Sequence, residues 1–141
     1  MLEFFDSEAC KGTASIYENH ITFNKSLVSY FETAYRVRVG IDRENKKVYF
    51  FIINKDKALS GEIPETSLLP VSLAKSYSRV CSRAMVEYIC NAFDLTINKK
   101  DFIRFQATYD DGKKAVIVDL NKGGEVWWKH IWCGFGLQYL L

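Results

Sequence analysis

Between Tyr35 and Asn54 the hydrophobic rhythm of the chain changes once. Tyr35, Val37, Val39 and Ile41 alternate with Arg36, Arg38, Gly40 and Asp42, a period of two that makes one face of a strand apolar and leaves the other wet. After the charged tip Asp42-Arg43-Glu44-Asn45 the alternation stops. Val48 to Ile53 is apolar at every position and rich in β-branched and aromatic residues, the pattern of a strand covered on both faces. Together the two segments predict a β-hairpin at the centre of a sheet.

The flanking segments predict further elements. Ile16 on one side and Ile21 and Phe23 on the other side of a polar Glu18-Asn19 turn read as two short strands, with Asn19 suited to positive φ. A helix of about three turns should follow, with Asn24 as its N-cap and Leu27, Val28, Phe31 and Ala34 at helical spacing. From Lys55 to Pro70, Gly61, Pro64 and Pro70 predict a loop without regular structure. Ser72 to Phe93, free of Pro and Gly, predicts a long helix carrying Leu73, Val80, Ala84, Ile89 and Phe93 and packing across the sheet. Phe102–Tyr109 and Lys114–Leu120 predict a second hairpin closed by Asp110-Asp111-Gly112, where the glycine would supply positive φ. Residues 1–12 offer Leu2, Phe4 and Phe5 but no defensible period, and Gly123-Gly124 reads as a turn. The fold class expected is α+β: an antiparallel sheet of hairpins with one short and one long helix, occupying residues 1–122.

The two hairpins share features. Val37-Arg38-Val39 matches Ile103-Arg104-Phe105, Lys46-Lys47 and Lys113-Lys114 follow the turns, and LVSYF and MVEYI lie in the helix before each hairpin. Matches this short arise by chance or from an internal duplication. In the second case the fold is two α-β-β units sharing one sheet.

Composition narrows the function classes. At 141 residues, with 48% hydrophobic and 26% charged residues, the chain can bury a core without disulfide or metal staples. Cys10, Cys81, Cys90 and Cys133 form no CxxC pair or zinc-type spacing, and the acidic start does not read as a signal peptide. Reduced thiols and a cytoplasmic location are expected. No apolar run reaches the eighteen or so residues of a membrane span.

GxGxxG, the P-loop and GxSxG are missing from the sequence, and with two histidines the supply of nucleophile–base candidates is thin. His20 reads as a solvated turn residue. His130 with Cys133 supplies at most half a metal site, and Glu62 and Glu65 read as solvated loop carboxylates. The expectation is therefore no enzyme, no cofactor and no metal.

Basic residues give the better lead. Arg36 and Arg38 project from the polar face of the first hairpin strand, with Arg43, Lys46 and Lys47 at its tip; Arg104, Lys113 and Lys114 repeat the arrangement. Hairpins so charged can enter a DNA groove or track phosphates, although Asp42, Glu44, Asp110 and Asp111 offset part of the charge and the formal net charge is only +2. Residues 123–141 differ in composition, holding Trp127, Trp128, Trp132 and Phe135. This segment reads as a closing element of the core, a docking segment, or an accidental extension of the reading frame. With the apolar run at 50–53 it suggests a homodimer with Trp128 or Trp132 in the interface.

Ser15 to Phe50 resembles the swapped-hairpin layout of AbrB-like and MazE-like DNA-binding domains: short strand, polar turn, strand, short helix, strand, strand. This chain carries Asn19-His20 and Asn24 where those domains usually have Gly-Arg in the turn and Pro at the helix start. Over residues 13–122 it also resembles a group of small uncharacterised proteins of Gram-positive bacteria sharing an ISFNKAA-like segment, here ITFNKSL from Ile21 to Leu27, and a later segment, here Val118-Asp119-Leu120-Asn121. The first resemblance implies DNA binding and transcription regulation; the second implies no activity. The expectation is an intracellular binding or regulatory protein that takes nucleic acid on its basic hairpins. The alternative is a protein-interaction module, an inhibitor or adaptor docking through the Trp-rich segment or the 55–70 loop.

Overall fold

A computed structural model describes residues 12–126 of the chain. They form an α+β fold built on one antiparallel sheet. In chain order the elements are β1 (Thr13–Tyr17), β2 (His20–Asn24), α1 (Lys25–Phe31), β3 (Arg36–Asp42), β4 (Lys47–Ile53), α2 (Lys55–Leu59), β5 (Leu68–Leu69), β6 (Ser72–Leu73), β7 (Tyr77–Cys81), α3 (Arg83–Phe93), β8 (Phe102–Asp110) and β9 (Ala115–Val126). The strand order is β5-β3-β4-β9-β8-β1-β2-β7-β6. The two edge strands, β5 and β6, are separated in sequence only by Pro70 and Val71, so the sheet must curl until its edges approach one another.

Alternation does most of the building. Ala14 and Ile16, Ile21 and Phe23, Val37, Val48 and Phe50, Val80, Ile103, Phe105 and Ala107, Val116 and Val118 all turn inward and are buried, and the residues between them point to the outer face, where Ser15 and Ala115 are covered too. Phe23 lies at the centre of an aromatic cluster, tilted against Phe31 at 4.8 Å and edge-on to Phe50 at 5.0 Å. Each such buried ring contributes about 2–3 kcal/mol of apolar transfer free energy. That burial also holds α1, whose seven residues could not sustain a helix in water. Leu27 and Phe31 are its buried anchors.

Several expectations are corrected. Ser72 to Phe93 is not one long helix: β6 and β7 take its first half, and Ser82, whose hydroxyl accepts from the Met85 amide at 3.1 Å, starts an eleven-residue α3. Ser78 and Val80 are both fully buried while Tyr77 and Cys81 are exposed, which is strand alternation. A tertiary pairing with β2 overrides the helical reading. The helices among the described residues therefore number three. The 55–70 segment is also more regular than expected, because the Asn54 side chain accepts from the Lys57 amide at 2.8 Å and caps α2. A 3-10 turn at Glu65–Ser67 and then β5 follow.

β4 is covered fully on its inner face and only in part on its outer one. Val48 and Phe50 are buried in the core; on the outer face Tyr49 and Phe51 are half-buried and only Ile53, at the end of the strand, is buried. α1 is nearer two turns than three. Its N-cap is Asn24 as expected, yet the side chain does not cap it and instead accepts from the Thr13 amide at 3.1 Å and the Ser26 hydroxyl at 2.9 Å. Among the described non-glycine residues, positive φ falls at Lys46, Asp94, Lys100 and Lys114, not at Asn19, and Gly112 is not in that region either. Gly123-Gly124 is no turn. It lies within β9, where the register against β8 shifts around Phe105 and Gly123 takes φ +114°.

Candidate functional site

The two long hairpins meet through their second strands. β4 and β9 run antiparallel with Tyr49 opposite Ile117 at the middle of the paired stretch, so the two turns lie at opposite ends of the pair. The turns are built alike. Asp42 accepts from the Asn45 amide at 3.1 Å and Lys46 has φ 55°; Asp110 accepts from the Lys113 amide at 3.2 Å and Lys114 has φ 52°. Each of these lysines then offers its carbonyl to the other hairpin, Lys46 to the Leu120 amide and Lys114 to the Ile52 amide, both at 2.9 Å.

At the Lys114 end the outer surface sinks into a groove of about 560 Å³. Arg38 of β3 stands opposite Phe51 of β4, and both line it, together with Ile52, Lys57 of α2, and Lys113 and Lys114 of the turn. The lining contains four cations and no carboxylate. Lys114 shares its charge with Asp111 at 3.1 Å on the open surface, and this hydrogen bond holds its pKa above the usual lysine value. Among the described residues no ion pair joins Arg38, Lys57 or Lys113 to a carboxylate. Tyr49 and Phe51 stack at 5.7 Å, and the Lys113 ammonium lies 5.5 Å above the Tyr49 ring, a cation–π arrangement.

Of the eight basic residues expected to act together, this groove gathers Arg38, Lys113 and Lys114. Arg36 instead donates to the Tyr35 carbonyl at 2.8 Å and lies over the Tyr35 ring. Arg104 is strands away, donating to the Ser15 hydroxyl at 3.4 Å above Phe102. Arg43, Lys46 and Lys47 occupy the opposite end of the β4–β9 pair. There Lys47 stands between Asp42 and Asp119 in register, and Asn121 donates to the Asn45 carbonyl at 2.8 Å. Phe51 and Lys57 escaped the sequence reading. The cross-strand position of Phe51 opposite Arg38 would have placed it, had the hairpin register been used; nothing local marks Lys57.

Other candidate chemistry is dispersed. His20 is half-buried rather than solvated, stacked on Tyr17 at 4.4 Å, and burial followed by the nearby Arg79 charge lowers its pKa. Burial raises the pKa of the Cys90 thiol, while Cys81 is exposed. Glu62 and Glu65 are exposed. Among the described residues no three His, Cys, Asp or Glu side chains cluster to hold a metal, and no helix is long and apolar enough to cross a membrane. His130, Cys133, Cys10, Trp127, Trp128, Trp132 and Phe135 lie outside the described residues. Compared with protein-family models, curated proteins and solved structures, the chain matches none.

Proposed function

We propose that this protein is a non-enzymatic binding protein whose ligand is a nucleic acid, held by its phosphates at the Lys114 end of the β4–β9 pair. One observation carries the reading: Arg38, Lys57, Lys113 and Lys114 converge on a groove that no carboxylate lines. Each phosphate contact releases counterions, so log affinity falls against log salt with a slope of about −0.7 to −0.9 per contact. A mobility-shift series over increasing salt should show this loss. Replacing Arg38 and Lys113 together with Ala should then flatten the slope by about 1.5. Absence of any shift with DNA or RNA at the lowest salt refutes the reading.

A second reading, a protein-interaction module, draws support from α2. Leu59, the last residue of α2, is 65% exposed and offers an apolar contact on the 55–70 segment. Partners captured on the full chain should be lost from a Leu59→Asp variant, and retained partners rule out this surface. The homodimer belongs to the same proposal, and light scattering should report roughly twice 16.3 kDa. A duplicated α-β-β unit is the finer reading of the fold. The matched turns support it with a shift of 68 residues, Asp42 to Asp110 and Lys46 to Lys114. Arg36, not Arg38, then corresponds to Arg104.

A further inference from the structure

Resting on the nucleic-acid reading of the groove, we infer that its ligand is single-stranded, with an unstacked base laid on Phe51 and the flanking phosphates on Arg38, Lys57 and Lys113. Tyr49 and Phe51 form a near-parallel stack, inclined by 15°. The Tyr49 end is covered by the Lys113 ammonium, and Phe51 is the end that lines the groove. A base seated in the groove meets the Phe51 ring beside Ile53, the next outward residue of β4, which lines the groove as well. In a duplex both faces of every base are occupied by neighbouring pairs, and proteins read the base edges with protruding helices or ribbons. A ring in the wall of a concave groove has nothing to meet on such a surface. A single strand exposes its base faces, and a positively charged groove with aromatic rings is how proteins take it without sequence preference.

The size agrees. A groove of about 560 Å³ falls within the roughly 300–1,000 Å³ of sites that take compact ligands, which admits a nucleotide unit and not the body of a double helix. The hairpin tips argue the same way. They point to opposite ends of the β4–β9 pair, so they cannot enter neighbouring grooves of one duplex side by side. The opposite end also lacks the set: positions shifted by 68 place Gln106 for Arg38, Ile117 for Tyr49, Asp119 for Phe51 and Asn45 for Lys113.

The test is fluorescence anisotropy on the full chain at low salt, using one labelled mixed-sequence 12-nucleotide strand, alone and annealed to its complement. The single strand should bind at least about 10-fold more tightly than the duplex. Phe51→Ala should weaken single-strand binding about 10-fold, the loss of one base–aromatic stack, and leave duplex binding unchanged. Phe51→Trp should retain single-strand affinity. Phe51→Leu keeps apolar cover without a π face and should resemble Phe51→Ala, which guards against misfolding as the cause. Equal or tighter duplex binding overturns the inference while sparing the nucleic-acid reading, as does a Phe51→Leu variant that binds the single strand unchanged. No binding of either form overturns both.

Discussion

The two ends of the β4–β9 pair use the same turn for different ends. Both turns place an aspartate where it accepts from an amide three residues on, both pass through a lysine with positive φ, and both hand that lysine's carbonyl to the neighbouring hairpin. Around the Lys46 turn the charges are internally balanced: Asn45 also donates its side chain to Asp42 at 2.8 Å, Asn121 bridges to the turn, and Asp119 faces Lys47. Around the Lys114 turn the equivalent of Asn45 is Lys113, which reaches over Tyr49, and the equivalent of Asp119 is Phe51. Backbone geometry is thus set by the turn, while the side chains around it decide whether an end is closed upon itself or open to an anion.

The interior under the two ends should respond unequally to truncation. Phe50 and Val118, separated by the same 68 positions, are both buried, but Phe50 alone carries the ring against Phe23. Phe50→Ala should cost about 3–5 kcal/mol in urea denaturation, and Val118→Ala distinctly less because fewer atoms leave the core. Equal losses would mean that the core is not organised around the aromatic cluster.

Beyond the pair the strands part company: β4 gives way to α2, while β9 runs on beside β8 through the bulge at Gly123. A Cβ at Gly123 would stand 2.5 Å from the Arg104 carbonyl oxygen, on a backbone with φ +114°. Gly123→Ala should therefore cost at least about 2 kcal/mol. A neutral outcome in thermal melting contradicts the bulge.

The turns themselves offer a smaller and opposite effect. Lysine in the left-handed region is strained, so Lys46→Gly should stabilise by up to about 1 kcal/mol, offset in part by the added freedom of the unfolded chain. Lys114→Gly should gain less, because it also gives up the contact with Asp111. Matched melts of the two variants would settle whether the turns are equivalent.

The smallest effect is electrostatic. The Asn45 side chain and then its amide lower the pKa of the Asp42 carboxyl. A lowered carboxylate favours the fold fully above the unfolded-state pKa, and the benefit fades as pH falls through the native one. Asn45→Ala should move Asp42 back up toward the ordinary value of 3.8 in an NMR titration. No movement would show that the side-chain hydrogen bond is not what distinguishes this turn.

Much of the fold was legible where one face of a strand was buried and local chemistry agreed with it. Alternation through Val37, Val39 and Ile41 placed β3, and Asn24 marked the start of α1. Ser72 to Phe93 failed for the opposite reason, since Val80 also fits helical spacing with Ala84 and only pairing with β2 makes its segment a strand. The basic residues were legible as a class. Their grouping was not, because sequence proximity put Arg36 beside Arg38, whereas the fold brings Lys57 of α2 and Lys113 of the second turn there.

By itself, then, the sequence determined an α+β chain of antiparallel hairpins, the outward course of Arg38, and the charge available at each tip. These follow from periods of two and from turns, which act over a few residues. Tertiary structure decided that the sheet curls back on itself, that the hairpins join second strand to second strand, and that one tip closes over its own charges while the other opens a cationic groove beside Phe51. Such outcomes depend on pairing between strands more than sixty residues apart, and a register between distant strands is written in no local pattern.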